Sequence, residues 1–283
     1  MMILVDQYIK LIVPEHNSGL LAPPLGPVLG RASIVEGYDR VSARSFLNAI
    51  GRVAVQESPD TVFGQLQSGP NGLALLHLDG TNGSTTFTDV YGNTWTGVNG
   101  AALSTANFKF GTASLLSTTN QRITTPDATQ WEFAGDFTIE CFVYFNTITS
   151  MAINTSFLGQ TGTVGGASWL LLQCDINHLI HFYASNSVGA YQFAAIGPTV
   201  PTGQWLHCAL VRSSGIMIAF FQGTSFGSGT LTGTVSTNGH PIAIGGDIAA
   251  IGEIFDGNID EVRFSNVARY TSNFTPPAYP FAF

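Results

Sequence analysis

The sequence predicts a small α+β domain followed by a larger all-β sandwich. Residues 67–72, Gln-Ser-Gly-Pro-Asn-Gly, are a cluster of residue types that interrupt regular structure. Before this cluster the apolar residues follow first a strand pattern and then a helical pattern. After it, almost every apolar segment is short and bounded by Gly, Asn, Ser, Thr or Pro. We therefore expect two domains, residues 1–70 and residues 71–283.

Residues 1–70 contain the patterns of a mixed domain. Apolar residues alternate or run together over residues 3–13 and predict a strand. The tandem prolines within residues 20–30 can occupy the first turn of a short helix. Apolar residues spaced three and four apart over residues 34–50 predict one amphipathic helix, and residues 53–63 resemble a short β hairpin.

The larger domain is predicted to be a set of short antiparallel strands. Strands are expected at residues 73–79, 136–145, 169–174, 179–184, 205–213, 216–222, 241–245 and 257–265. Many short strands at this spacing are typical of a sandwich or a barrel.

The strand with the clearest alternation is Phe137–Phe145. Its odd positions are all apolar and are predicted to lie in the core: Phe137, Ile139, Cys141, Val143 and Phe145. Its even positions are Thr138, Glu140, Phe142 and Tyr144. A face that is half polar and half aromatic predicts a binding groove or a contact with another chain.

The charge of the chain argues against a nucleic-acid partner. The formal net charge is -8, with only 10 Lys and Arg residues. No basic stripe is available to release counterions from a phosphate backbone. We expect neither nucleic acid nor anionic lipid to be the main partner.

Export and membrane insertion are not predicted either. The first apolar run is broken by Asp6 and Lys10, and no small-residue cleavage site follows it. No uninterrupted apolar stretch reaches the roughly 20 residues that a membrane-spanning helix needs.

The three cysteines are predicted to be buried thiols. Cys141, Cys174 and Cys208 each lie within an apolar run, in odd number and without the spacing of a disulfide framework or a zinc site. A free cysteine packs as a small hydrophobic residue.

Several motifs of residues 73–275 resemble the laminin-G-like, concanavalin-like jelly-roll family. They are Leu75-Leu-His-Leu-Asp-Gly80, Phe110-Gly111, Phe137-Thr-Ile-Glu140, Trp205-Leu-His-Cys-Ala-Leu-Val-Arg212, Ile242-Ala-Ile-Gly-Gly246 and Gly257-Asn-Ile-Asp-Glu-Val-Arg263. The resemblance implies that residues 71–283 form an all-β jelly-roll sandwich. The chain has Phe221-Gln-Gly223 where the family usually has an Asp-Gly turn, which puts a ligand role for that turn in doubt.

The segment Ser265–Pro277 looks like the version of this domain found in phage structural proteins. This resemblance implies a protein on the surface of a tailed-bacteriophage virion, assembled in the host cytoplasm.

The first domain is similar to another family. The segments Tyr8–Pro14 and Ala22–Gly30, followed by a helix ending near Phe46-Leu-Asn-Ala49, resemble the N-terminal domain of the eleventh large-subunit ribosomal protein, the stalk-base protein. That family's separate RNA-binding domain is absent, so the resemblance implies shared architecture and not a ribosomal role.

The jelly-roll resemblance also implies a candidate calcium site. Sandwiches similar to this one often hold Ca²⁺ beside the first and last strands, and Asp260 stands at the matching position, with Asp79 and the carbonyl near Gly111 as companions. Calcium takes six to eight oxygen ligands, so water would have to complete the set. The alternative is that Asp260 accepts backbone N–H groups where two strand ends meet.

Hydrolysis is not expected, although glycosidases share this fold. Their chemistry uses two carboxylates on either side of the scissile bond. Glu140 is alone among uncharged residues on its strand, and the remaining candidates cluster near the last strand. We therefore predict that the protein is not an enzyme.

Aromatic residues on an exposed sheet face could stack against sugar rings. The candidates are Phe142, Tyr144, Trp169, Phe182, Tyr183 and Tyr191. The alternative for each is an ordinary place in the core.

Two functions remain open at the level of the sequence. The first is a capsid decoration, cement or head-fibre protein, in which residues 1–70 bind the major capsid protein or another virion protein and the sandwich projects outward. The second is a tail fibre or receptor-binding tail protein that recognises a host surface carbohydrate. A homo-oligomer, with a trimer as the specific guess, is expected in either case.

Overall fold

The structure, a computed structural model, describes residues 2–5, 8–14, 32–35, 71–148, 155–160, 169–174, 177–186, 191–235, 239–246 and 255–282. The chain divides into two compact units, residues 1–57 and residues 58–283. Residues 58–70 lie outside the described part, so the predicted boundary at residues 67–72 stays a prediction.

The first unit contains a three-stranded antiparallel sheet in the order β1-β2-β3. Its strands are β1 (Met2–Val5), β2 (Tyr8–Pro14) and β3 (Ala32–Val35). The prediction of one strand over residues 3–13 is wrong, because Val5 pairs with Tyr8 and the segment is a hairpin. The two strands are antiparallel, with Met2 opposite Leu11.

The predicted amphipathic helix cannot begin at Ile34, because that residue lies in β3. Its β-branched side chain and that of Val35 favour a strand. The rest of the predicted helix, the proline helix and the second hairpin lie outside the described residues, and so does most of the segment that resembles the ribosomal protein.

The second unit is a sandwich of two antiparallel sheets, as the sequence predicts. Its strands are β4 (Gly72–Leu76), β5 (Thr96–Val98), β6 (Ala102–Ser104), β7 (Ser114–Ser117), β8 (Arg122–Thr125), β9 (Phe137–Phe145), β10 (Thr155–Gln160), β11 (Trp169–Cys174), β12 (Leu179–Ala184), β13 (Phe193–Thr199), β14 (Trp205–Ser213), β15 (Ile216–Phe221), β16 (Thr224–Thr230), β17 (Ile242–Ile244) and β18 (Gly257–Ser265). A single 3-10 turn, Thr129–Trp131, is the only helical element in the described part of this unit.

The two sheets differ in strand order. The seven-stranded sheet runs β13-β12-β11-β10-β17-β8-β5. The eight-stranded sheet runs β16-β15-β14-β9-β18-β7-β6, and β4 also pairs with β18. No helix among the described residues is long and apolar enough to cross a bilayer.

The core between the sheets contains the residues that the alternation on β9 predicts. Phe137, Ile139, Cys141, Val143 and Phe145 are all buried there. Cys208 is a second buried free thiol, and burial raises the pKa of both described cysteines. The side chain of Cys174 lies outside the described part.

The other face of β9 differs from the prediction of an open groove. Thr138, Glu140 and Phe142 are buried, and Tyr144 is half-buried. The cause is the segment that follows β18, residues 266–282, which we call the covering segment.

The covering segment forms two small apolar clusters with the outer face of the eight-stranded sheet. One joins Ala209, Val211 and Phe220 to Tyr270, and the other joins Leu75 and Phe142 to Phe281. Within the segment the rings of Tyr270 and Phe274 stack with centroids 3.6 Å apart. The face that was predicted to form a groove or to contact another chain is therefore covered by a segment of the same chain.

Candidate functional site

Glu140 forms the centre of a buried polar network beneath the covering segment. Its carboxylate is 2.7 Å from the Arg263 guanidinium and 3.1 Å from His207 Nε2, and it accepts a 2.9 Å hydrogen bond from the Tyr270 hydroxyl. Burial by itself would raise the pKa of Glu140, but the positive charge of Arg263 and the hydrogen bond with His207 outweigh it and lower the pKa to about 2. Glu140 is therefore a fully buried anion that no substrate can contact.

A bulge in β18 sets the position of the predicted metal ligand Asp260. Opposite β9, Asp260 pairs with Phe142 and Arg263 pairs with Glu140, so β18 contains one extra residue between them. Glu261 lies within the bulge and has a φ of 52°. As a result Asp260 and Arg263 both reach the outer face of the sheet.

Asp260 accepts backbone hydrogen bonds with both oxygens. Its Oδ2 accepts the N–H groups of Lys109 at 2.7 Å and Phe110 at 3.1 Å, and its Oδ1 accepts the N–H group of Glu261 at 2.9 Å. Burial raises the pKa of Asp260 to about 8, although these hydrogen bonds favour the ionised form. Asp260 thus holds the loop between β6 and β7, and we call residues 107–112 of that loop the lysine loop.

Asp79 holds the other end of the lysine loop. Its Oδ1 accepts hydrogen bonds from the N–H group and the hydroxyl of Thr112. Gly111 lies between the two anchor points with a φ of +66°, and a Cβ there would be 2.0 Å from Asp79 Oδ1. Only glycine fits this close approach without strain.

The three predicted calcium ligands therefore meet at one loop, where the carboxylates of Asp260 and Asp79 accept backbone N–H groups. Three N–H groups point at Asp260 and one at Asp79, so these hydrogen bonds already use much of the acceptor capacity of Asp260. Among the described residues there is no group of three or more His, Cys, Asp or Glu side chains that could hold a metal. The arrangement matches the alternative in which Asp260 joins strand ends through backbone hydrogen bonds.

Three of the predicted sugar-stacking residues are buried and cannot contact a ligand. Phe182 lies inside the core because Ile180, Phe182 and Ala184 form the inward face of β12. Trp169 is also in the core, where its indole N–H donates to Gln160 Oε1 at 2.8 Å. Phe142 is covered by Phe110 and Phe281. For these three residues the prediction is corrected.

Tyr183 and Tyr191 are the predicted aromatic residues that reach the surface together. Tyr183 is on the outward face of β12, and Tyr191 comes just before β13 and is 46% exposed. Their ring centroids are 4.7 Å apart, with an angle of 32° between the rings.

The apolar surface around this pair continues along β13. Ala194 pairs with Tyr183, and Ile196 pairs with His181, so all four side chains are on one face. Ala194 is exposed, and Ile196 is 58% exposed. We call Tyr183, Tyr191, Ala194 and Ile196 the tyrosine edge.

Polar groups border the tyrosine edge. His181 Nδ1 is 2.5 Å from the Tyr183 hydroxyl, and the side chains of Asn186 and Gln192 hydrogen-bond to each other. Asn186 Nδ2 also donates to Thr232 O at 2.8 Å. The tyrosine edge is thus a pair of aromatic rings bordered by two amides, with the buried imidazole of His181 bonded to the Tyr183 hydroxyl. Sequence reasoning missed Ile196, Asn186 and Gln192.

Tyr144 belongs to a different surface, at the end of β9. Its ring is 5.6 Å from that of Trp205, whose indole N–H donates to Asn107 Oδ1 at 3.1 Å. Tyr144 and Trp205 are each half-buried. Sequence reasoning missed Trp205, although the register of β14 with β9 places the two side by side.

Solved structures with the same fold include several binding domains. The binding domain of Paraclostridial Mosquitocidal Protein 1 aligns with a TM-score of 0.55 and 12% identity, over 70% of this chain and 49% of that one. The receptor binding domain of botulinum neurotoxin D gives 0.53 and 14%, over 70% and 49%. This chain thus spans about half of the length of each toxin domain.

A third structure is covered almost completely. Domain 4 of AbnA, a GH43 extracellular arabinanase from Geobacillus stearothermophilus solved in complex with arabinotriose, aligns with a TM-score of 0.50 and 20% identity, over 69% of this chain and 92% of that one. At these identities the likeness concerns the fold alone. No curated protein matches the chain.

A family model does match the sequence. It is Laminin_G_3, described as the Concanavalin A-like lectin/glucanases superfamily, and it matches residues 117–272. This range includes β8 to β18, and with them the tyrosine edge, the Glu140 network and part of the covering segment. Since the match takes in more than half of the chain, the protein belongs to the concanavalin A-like lectin/glucanase superfamily.

Proposed function

We propose that the sandwich binds carbohydrate and that the tyrosine edge contacts the sugar. The observation that carries the proposal is the pair of rings of Tyr183 and Tyr191, which lie side by side on the surface with Ile196 beside them. Exposed apolar groups that form a continuous patch mark interaction sites. The C–H face of a sugar packs against such rings, and the amides of Asn186 and Gln192 can bond to its hydroxyls.

Related folds support this proposal. The toxin domains are described as binding domains, and the arabinanase domain was solved with arabinotriose. The ligand of this chain is to be identified from its own surface.

We propose binding without hydrolysis. Glycosidases of this fold use paired carboxylates that contact the substrate. Here the Glu140 carboxylate is buried in a network with Arg263, His207 and Tyr270, and both oxygens of Asp260 accept backbone N–H groups. Neither residue is available as an acid or a nucleophile.

We further propose that the protein is exposed on a phage particle, where the bound carbohydrate belongs to the host surface. The support is the resemblance of residues 265–277 to phage structural proteins. Copy number decides between a capsid decoration protein bound to the major capsid protein and a tail protein. Quantitative mass spectrometry of purified particles should give hundreds of copies for decoration, or a few tens or fewer for the tail.

The binding proposal is tested with a glycan array and a matched pair of variants. The full chain should bind a defined set of neutral glycans, and Tyr191→Ala should lower the affinity about tenfold through loss of one ring face. Tyr279→Ala is the control, because Tyr279 is 74% exposed and is not part of the tyrosine edge. Binding that is equal in wild type and Tyr191→Ala would overturn the proposal, and so would a complete absence of binding.

A further inference from the structure

Lys109 is an unusual cation in this chain. The sequence has two lysines, Lys10 and Lys109, and a formal net charge of -8. The arginines of the sandwich all hydrogen-bond to other groups of the protein, namely Arg122, Arg212, Arg263 and Arg269. Within the described residues, the ammonium of Lys109 has no carboxylate within salt-bridge distance. It lies 5.2 Å from the centroid of Phe110 and 5.1 Å from that of Phe142.

The position of Lys109 is fixed by the fold. Its own backbone N–H donates to the buried carboxylate of Asp260, and Asp79 holds Thr112 three residues further along. The ammonium also lies over the rings of Phe110 and Phe142. A cation held in this way loses little conformational entropy when it binds an anion.

Other aromatic side chains belong to the lysine loop or are joined to it. Phe108 in the same loop is 41% exposed, and Asn107 ties the indole of Trp205 to the loop. The half-buried ring of Tyr144 packs against Trp205. The lysine loop therefore combines one positive charge with flat apolar surfaces and an amide.

We propose that the lysine loop, with Trp205 and Tyr144, is a second ligand site that binds a carboxylated sugar unit. The carboxylate pairs with the Lys109 ammonium, and the sugar ring packs against Trp205 or Tyr144. This site is at the end of the outer face of the eight-stranded sheet where Tyr144 and Trp205 are only half-buried, whereas the tyrosine edge is on the outer face of the seven-stranded sheet. The second site therefore goes beyond the proposed function and does not depend on it.

The test compares two sugars that differ only at C6, which is a carboxylate in one and a hydroxymethyl group in the other. The full chain is titrated with methyl β-D-glucuronide and with methyl β-D-glucoside, and binding is followed by ligand-observed NMR and calorimetry. We expect the glucuronide to bind at least about tenfold more tightly, because a charge-assisted contact is lost with the glucoside. Its affinity should also fall as salt is added.

Variants separate this site from the tyrosine edge. Lys109→Met keeps the apolar stem and the backbone N–H but should weaken glucuronide binding about tenfold or more. Arg122→Gln removes a cation whose guanidinium bonds to Asn120, and it should leave glucuronide binding unchanged. Tyr191→Ala should also leave it unchanged, whatever its effect on neutral glycans.

Three results would overturn the second site. They are equal affinity for the two sugars, wild-type glucuronide binding by Lys109→Met, and no glucuronide binding at millimolar concentration by a folded protein. Loss of glucuronide binding in Tyr191→Ala but not in Lys109→Met would assign the carboxylated sugar to the tyrosine edge instead. Unchanged melting temperatures of the variants show that each result reports on the site and not on folding.

Discussion

The two outer faces of the sandwich both have aromatic side chains, but these are buried on one face and reach the surface on the other. On the eight-stranded sheet, Phe142 is buried beneath Phe281 of the covering segment. On the seven-stranded sheet, Tyr183 and Tyr191 lie side by side at the surface. The comparison teaches that aromatic content does not identify a binding face. Whether its aromatic side chains are accessible to a ligand depends on whether another part of the chain covers them.

The largest effect is expected from a substitution at the centre of the outer face of the eight-stranded sheet. We call this face, which the covering segment covers, the closed face. Glu140→Ala leaves the buried Arg263 without its anion, and the loss of one partner of a buried ion pair costs about 3–5 kcal/mol. The free energy of unfolding, measured by denaturant titration, should fall by that amount. Glu132→Ala removes an exposed carboxylate and serves as the control. Equal stability of the two variants would contradict the buried network.

The next prediction compares the loss of stability when one aromatic side chain is removed from each face. Phe281→Ala should lower the free energy of unfolding by about 3–5 kcal/mol, since a buried ring leaves a cavity. Tyr191→Ala should lower it by only about 1 kcal/mol or less, since the residue is 46% exposed. Similar losses in both variants would mean that the two faces are covered to the same extent.

A smaller effect is expected from pH, and it concerns the closed face alone. Glu140 has a pKa lowered from 4.5 to about 2, so its ionised form stabilises the fold. This contribution is complete above pH 4.5 and is lost as the pH falls towards 2. The difference in unfolding free energy between wild type and Glu140→Gln should therefore shrink over that interval. A difference that stays constant would show that Glu140 has an ordinary pKa.

The core of the sandwich could be predicted from the sequence because alternation is a local property. The odd positions of β9 are buried as predicted, and so are Cys141 and Cys208. The same alternation could also have identified Phe182 as a core residue and not a sugar-stacking one. On β12, Ile180, Phe182 and Ala184 share one apolar face, which lies in the core.

The outer-face contacts could not be predicted in the same way because they join distant parts of the chain. Phe142 meets Phe281 across 139 positions, and Asp260 meets Lys109 across 151. No local pattern marks either pair. The resemblance to concanavalin-like proteins located Asp79, Gly111 and Asp260 at one loop, but the backbone hydrogen bonds that the two carboxylates accept are seen only in the structure.

The smallest effect is expected from removing metal ions. Because the oxygens of Asp260 accept N–H groups, a chelator should leave the melting temperature of the wild type unchanged. Thermal unfolding with and without EDTA measures this directly. A decrease in the wild type that is absent in Asp260→Ala would restore calcium as a ligand, since a ligand bound only to the folded state stabilises it.

The most direct test of the central claim is fluorine NMR of protein labelled with 3-fluorotyrosine, titrated with a trisaccharide such as arabinotriose or with the strongest ligand from the glycan array. The chain has 8 tyrosines, so each resonance can be assigned with single Tyr→Phe variants. We predict that the resonances of Tyr183 and Tyr191 shift on binding while that of Tyr270, which is stacked on Phe274 in the covering segment, stays in place. A shift of Tyr270 with no change at Tyr183 and Tyr191 would place the ligand on the closed face and contradict the account.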